Sequence, residues 1–277
     1  MLQQLEGNVA VVTGAGSGIG AALCRGFATA GMRLVAADID YARAAALVAS
    51  LDSPHAVAVQ VDVADADSVA LLADTAFSAW GRVDVLCNNA GVFQGGLSWE
   101  RTVADWDWVL GVNVYGIIHA IRSFVPRMVA QDTDGHIVNT ASVAAFVAGA
   151  ASSPYVVSKC AAFSLTECLA LDLAATGAKI GVSVLTPSAI DTGIAHTAAV
   201  RPTRYGTDTS PDGAMVADGL AKMTSSGISP DDVVAPVLAA IRSGEFLIPT
   251  KPSYTAQIAN RFEALRERRL PGHVAVD

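Results

Sequence analysis

Charge is scarce in this chain. Asp, Glu, Lys and Arg make up 16% of the 277 residues, and acids outnumber bases 26 to 18, a formal net charge of −8. A nucleic-acid groove needs a basic stripe to displace counterions from phosphates, and none is present. The one basic cluster, Arg261, Arg266, Arg268 and Arg269, is interleaved with Glu263 and Glu267 and reads as a solvated helix face. Cysteine is equally sparse. Cys24, Cys87, Cys160 and Cys168 lack C-x-x-C or zinc spacing, which suits reduced thiols in the core of a cytoplasmic protein. The histidines, His55, His119, His136, His196 and His273, form no H-E-x-x-H or related group, so no catalytic metal is expected. No secretory signal fits "MLQQLEG", and no apolar run reaches the roughly 18 residues of a membrane span. With 52% hydrophobic residues, the expected object is densely packed and self-associating.

What is abundant is alternation. Apolar, β-branched runs, "NVAVVTG", "MRLVAAD", "HAVAVQVDV", "VDVLCNNAG", "GHIVNTAS", "KIGVSVLTP" and a short "GEFLIPT", read as strands. Helical stretches fall between them at about 18–30, 41–51, 65–80, 102–131 and 153–176. Strands without polar alternation, each followed by a helix, imply a parallel sheet covered on both faces. The predicted fold is a doubly wound α/β domain of Rossmann type spanning 1–277. The rhythm breaks at 193–229, which is rich in Thr, Ser, Gly, Asp and Pro. This insert leaves the end of the sixth strand, where ligands bind in open parallel sheets, and reads as a mobile lobe covering a substrate.

"VVTGAGSGIGAAL" places Gly14, Gly16, Gly18 and Gly20 between a strand and a helix. Glycines there permit a tight turn, let a pyrophosphate approach the backbone and aim helix N–H groups at it. The next strand ends at Asp38, where a carboxylate accepts hydrogen bonds from a ribose diol and repels a 2′-phosphate. Ser17 occupies the turn where a basic residue would favour phosphate, so NAD is expected over NADP. Asp40 is the expected cap of the following helix.

In "YVVSK", Tyr155 and Lys159 stand four apart, on one helix face. Alone, the pair reads equally as a surface accident, a buried polar contact or a phenol whose proton is meant to leave. Its neighbours add context. "TGAGSGIG", with Thr13, Gly14, Gly18 and Gly20, "VDV" with Asp62 and Val63, "NNAG" at 88–91, Asn113 in "GVNVYG" and Ser142 in "NTAS" occur in order. From Asn8 to Thr192 the chain resembles the short-chain dehydrogenases/reductases in their one-domain form. The resemblance implies a catalytic set of Asn113, Ser142, Tyr155 and Lys159. It also implies cofactor contacts from the glycine turn (Thr13, Gly14, Gly16, Ser17, Gly18, Ile19, Gly20), from Asp38, Asp62 and Val63, and from Asn89, Ala90 and Gly91. Tyr155, Lys159, Pro187, Ile190 and Thr192 complete that implied list. A homotetramer is implied as well. One departure is Pro187-Ser188, where the family usually has Pro-Gly.

A phenol of pKa near 10 is a poor base at neutral pH, and a neighbouring ammonium favours its phenolate. By the resemblance, Lys159 supplies that charge and reaches the cofactor ribose, Ser142 orients the substrate oxygen, and Asn113 links Lys159 to solvent through its backbone or a held water. The expected activity is hydride transfer between a nicotinamide and a small-molecule alcohol or ketone. A catalytically dead dinucleotide sensor, or an epimerase or dehydratase using the same pair, are the alternatives. Phe93, Val143, Ala144, Phe146, Val147, Ile194, Val200, Met215, Val216, Leu220 and Met223 predict an apolar substrate cleft. No paired Arg or Lys stands immediately beside Ser142 or Tyr155 to hold an anion, although Arg201 and Arg204 could do so if the lobe folds inward.

Overall fold

The computed structural model of the chain describes residues 2–51, 53–251 and 254–272; His273 lies outside them. Seven strands, β1 Val9–Thr13, β2 Arg33–Asp38, β3 Ala56–Gln60, β4 Val85–Asn88, β5 Gly135–Thr140, β6 Ile180–Thr186 and β7 Leu247–Pro249, form one sheet in the order β3-β2-β1-β4-β5-β6-β7. Every pairing is parallel. β1, β4 and β5 are buried at every residue, as the unbroken apolar runs require.

The helices are α1 Gly18–Thr29, α2 Tyr41–Ser50, α3 Ala66–Trp80, α4 Val103–Leu110, α5 Gly116–Ala130, α6 Ser153–Ala175, α7 Pro211–Ser225, α8 Val234–Ser243 and α9 Tyr254–Arg266. One core gathers Phe27, Leu34, Val237 and Ile241 on the α1 and α8 side. A second gathers Leu72, Phe124, Met128 and Leu173 on the α3, α5 and α6 side. The fold is therefore doubly wound. The strand order reverses between β1 and β4, and the cleft opens at their carboxyl ends. Asp40 caps α2 by accepting from the Arg43 N–H, as expected.

Three expectations need correction. The helix read over 102–131 is divided by a π-turn, Gly111–Tyr115. Val103–Ala130 is long and apolar enough by length and composition to cross a membrane, contrary to the reading of apolar runs alone. It is built into the core here, burying Trp108, Val109, Ile117, Phe124 and Met128, while Arg127 pairs with Asp74. Second, Cys24 and Cys87 are core residues, but Cys160 is half-buried and Cys168 exposed. α6 packs one stripe inward and leaves Val157, Cys168 and Leu171 outside. Third, Arg266 and Arg269 pair with Glu263 and Glu267 on the surface, whereas Arg261 reaches inward to the Phe146 carbonyl.

The 193–229 lobe is tied to the rest of the domain by ion pairs. After 3-10 turns at Gly193–Val200 and Thr203–Tyr205 it forms α7. Arg101, 1% exposed, donates to Asp208 at 2.9 Å and Asp212 at 2.8 Å. Arg201 donates to Asp105 at 2.7 Å. These partners stand 96 to 111 residues apart, so no local pattern announces them. Burial would raise the Asp208 carboxyl, but bonds from Ser210 and Gln94 and the Arg101 charge hold it below the usual range. The Leu97 N–H, with Ser210 and Arg101, does the same for Asp212. Depressed carboxyls stabilise the fold above their unfolded pKa near 4 and lose that contribution as pH falls through the folded values. Arg101→Ala is expected to destabilise the protein by about 3 kcal/mol at pH 7 and to open 193–229 to limited proteolysis. The difference from the parent, measured by denaturant unfolding, should narrow below about pH 4. Equal proteolysis of both proteins would show that the pairs do not hold the lobe.

Candidate active site

The nucleotide end is shaped by backbone that side chains cannot enter. Gly14 has φ +66°, and a Cβ there would lie 2.8 Å from Ala90 Cα; at Gly20 it would lie 2.0 Å from the Gly14 carbonyl oxygen. Gly16 N–H donates to Asp38 Oδ2 at 2.8 Å and Asp40 N–H to Oδ1 at 2.9 Å, fixing the carboxylate at the end of β2. Ser17 is the N-cap of α1 and makes no side-chain cap bond.

"NNAG" ties the strand ends together. Thr13 Oγ1 accepts from the N–H groups of Asn89 and Ala90 at 3.1 and 3.2 Å, and Asn89 Nδ2 donates to the Thr13 carbonyl. Asn88 donates to Asn139, and Asn139 to Thr166. Gly14, Ser17, Gly18, Ile19, Asn89, Ala90 and Gly91 form the cavity wall; Thr13 and Gly20 are buried beside it, and Gly16 is half-buried against Asp38.

Ser142 follows β5, and Tyr155 and Lys159 lie in the first turns of α6. Lys159, 3% exposed, donates to the Thr140 carbonyl at 3.0 Å, and burial brings its pKa down to about 8. Its Nζ is 5.6 Å from the centroid of the Tyr155 ring, which packs on Phe93 at 5.1 Å. Burial raises the Tyr155 pKa, with the Ser142 hydroxyl opposing. In this site desolvation outweighs the Ser142 hydrogen bond on the phenol, and the Lys159 ammonium stands beside its ring. Ser142 Oγ itself donates to the Pro187 carbonyl at 3.3 Å.

Asn113 sits in the π-turn and does not line the cavity. Its Oδ1 accepts from Val92 N–H at 2.8 Å, and its Nδ2 donates to the Val92 carbonyl and to Ser158 Oγ, each at 2.9 Å. Ser158 Oγ donates on to the Tyr155 carbonyl at 2.7 Å. The Asn113 side chain is thus committed to clamping the loop after β4 against α6. Ser158 is the residue that sequence reading missed, although a small polar residue inside "YVVSK" was its signal.

Pro187, Ile190, Thr192, Asp62 and Val63 all line the cavity. Ser188 needs no glycine-like backbone: the described non-glycine residues with positive φ are Asp132, Ala151 and Arg268. Its N–H donates to Thr250 Oγ1 at 3.1 Å, and its buried hydroxyl has no partner.

One cavity of about 730 Å³ runs from Asp38 and Asp62 past Ser142, Tyr155 and Lys159 to an apolar end formed by Phe93, Val143, Ala144, Val147, Ile194, Val200, Val216, Leu220 and Met223. Two expected lining residues are elsewhere. Phe146 packs on Phe163, and Met215 faces solvent, 68% exposed, because α7 turns its 216–220–223 stripe inward. Arg201 is taken by Asp105, Gln94 and the Tyr205 carbonyl, and Arg204 by Asp62. The residues fit a dinucleotide: a turn that side chains cannot fill, a fixed carboxylate, and a buried ammonium with one protein partner and N–H bonds to spare.

Residues 8–202 match the family model for the short chain dehydrogenases. The chain belongs to that family. It is 36% identical over 265 residues to the 1-deoxy-11-beta-hydroxypentalenate dehydrogenase of Streptomyces exfoliatus, covering 94% of this chain and 88% of the relative. It is 30% identical to a C alpha-dehydrogenase of Sphingobium sp., covering 98% and 89%. A short chain dehydrogenase/reductase from Burkholderia phymatum, solved in complex with NAD, superposes with a TM-score of 0.96 at 38% identity, covering 99% of both chains.

In this short-chain dehydrogenase the buried ammonium has a measurable consequence. The Lys159 pKa falls from an unfolded value near 10.4 to about 8. Its charging therefore opposes folding fully below pH 8, and the opposition fades as pH rises towards 10.4. Lys159→Met is expected to stabilise the cofactor-free protein by up to about 3 kcal/mol at pH 7. Denaturant unfolding at pH 7 and pH 10 checks this: a gain independent of pH would assign it to packing instead.

Proposed function

We propose that this chain is an NAD-dependent alcohol dehydrogenase or ketone reductase whose substrate is a bulky, mostly apolar secondary alcohol or its ketone. One observation carries the reading: Ser142, Tyr155 and Lys159 stand where the nucleotide end and the apolar end of a single cavity meet. When bound, the nicotinamide cofactor supplies the hydride acceptor or donor. Ser142 and Tyr155 hold the reacting oxygen by hydrogen bonds, and Tyr155 gives it a proton in reduction or takes one in oxidation. Lys159 offers its spare N–H bonds to the cofactor ribose and its charge to the phenol. Asn113 and Ser158 keep Tyr155 and the loop after β4 in register. The lobe and α7 cover the substrate.

Apolar burial supplies affinity in this reading, since both lobe arginines already have carboxylate partners. The hydroxylated substrate in the name of the Streptomyces relative is consistent with an alcohol donor. A dinucleotide sensor would bind NADH and turn nothing over. Tyr155→Phe should lower kcat/KM by about 10²–10⁴-fold while NADH binding, followed by fluorescence, is kept. Along a homologous series of secondary alcohols, kcat/KM should rise about fourfold per methylene, from roughly 0.8 kcal/mol each, until the cavity is full. A preference for polyols, sugars or phosphorylated substrates would refute the apolar site.

The preference for NAD rests on Asp38, fixed by two backbone N–H groups where a 2′-phosphate would stand. Asp38→Ala should narrow the ratio of kcat/KM for NAD over NADP. An unchanged ratio would place selectivity elsewhere, with nearby Arg43 the first residue to test.

A further inference from the structure

Arg204 belongs to the substrate lobe but is bonded at the far end of the cleft. It lies in the turn Thr203–Tyr205, and its Nη2 donates to Asp62 Oδ2 at 2.6 Å, on the loop after β3. Asp62 Oδ1 accepts the Ala64 N–H at 3.0 Å, so the carboxylate is held from its own loop. Arg204 and Asp62 both line the cavity that also holds Gly14 and Asp38. Asp38 pairs in register with Gln60, which puts Asp62 just past the end of the strand beside it. A dinucleotide with its ribose on Asp38 would bring its base towards the cavity wall that Asp62 and Arg204 share.

The crossing is anchored on both sides of Arg204. Arg201 is buried against Asp105, its guanidinium 5.0 Å from the centroid of the Trp108 ring. Tyr205 packs on the Val92, Trp108 and Val109 cluster. Arg204 is thus presented to the β3 loop by a fixed turn.

We propose that the Arg204–Asp62 pair is a strap that retains the dinucleotide by closing the lobe over its base. This rests on the cofactor reading above. Each carboxylate oxygen has two acceptor sites, so Asp62 can take a ligand N–H without releasing Arg204, and a guanidinium stacks on flat rings. The side chains are 50% and 21% exposed, so the pair is screened and its effect is a matter of rate within a small factor.

The test is stopped-flow NADH release, followed by fluorescence, for the parent protein, Arg204→Gln, Arg204→Lys, Asp62→Asn and the double variant. Arg204→Gln should release NADH about two- to fivefold faster with association little changed, and Arg204→Lys should fall between. Raising salt should speed release from the parent and leave Arg204→Gln indifferent. In the Asp62→Asn background, Arg204→Gln should have a smaller effect than in the parent. Matching thermal midpoints for the parent and Arg204→Gln check that the fold is kept. If the parent does not bind NADH, the cofactor reading fails and the strap with it. If the parent binds and Arg204→Gln releases at the same rate, binds more tightly because Asp62 is freed, or acts equally in both backgrounds, the strap alone is overturned.

Discussion

A lysine ammonium sealed in a protein with one carbonyl for company is an expensive object, and the site of this short-chain dehydrogenase is arranged around it. Lys159 is buried, donates to Thr140 and has its pKa brought down to about 8 by desolvation. It stays in place because α6 is fixed from both ends of the contact. Asn113 and Ser158 clamp the helix to the loop after β4, and β5 delivers the Thr140 carbonyl. Gly91 leaves room beside it: a Cβ there would stand 3.4 Å from Nζ. A fold that only needed stability would put a methionine at this position. The retained ammonium marks the cavity as built for a ligand rich in hydroxyl or phosphate acceptors.

The scarcity of charge bears on the lobe as well. Charge is rare in this chain, and several of the ions are placed in buried or partly buried hydrogen-bonded pairs: Arg101 with Asp208 and Asp212, and Arg201 with Asp105. Buried pairs contribute little net stability over apolar residues, but losing one partner is costly, so they fix geometry. α7 consequently meets the cavity with its Val216, Leu220 and Met223 face. The arginines that looked able to bind an anionic substrate each have a carboxylate partner already.

Legibility in the sequence tracks locality. The glycine turn, the strand ending at Asp38, the Asp40 cap and the α6 pair each depend on residues within a few positions of one another, and each is where the pattern put it. Some of the misreadings involve partners distant in sequence, and others a local turn that apolar patterning does not reveal. Periodicity cannot show that Arg101 finds Asp208, that α9 sends Arg261 to Phe146, or that the helix through Asn113 widens into a π-turn. Phe146 and Val147 are adjacent, yet only Val147 faces the cavity, because a 3-10 turn at Val143–Ala145 sets the direction of the chain beyond it. Ser188 in place of glycine would strain the loop only at positive φ. With an ordinary φ its side chain costs the loop no strain, and the local anomaly reduces to an unpartnered hydroxyl.

The electrostatics of the resting site also bear on direction. Burial acts on Tyr155 and Lys159 in opposite senses, holding the phenol protonated and making the ammonium easier to discharge. Both shifts favour neutral side chains, as a low-dielectric cavity must. Positive charge brought into the cavity beside the phenol favours its anion, while a neutral ligand leaves the proton in place. A Tyr155 proton available for donation accompanies the neutral state of the site, and a phenolate able to accept one accompanies the positively charged state. Any positive charge that enters the cavity therefore acts on the phenol in the direction opposite to burial.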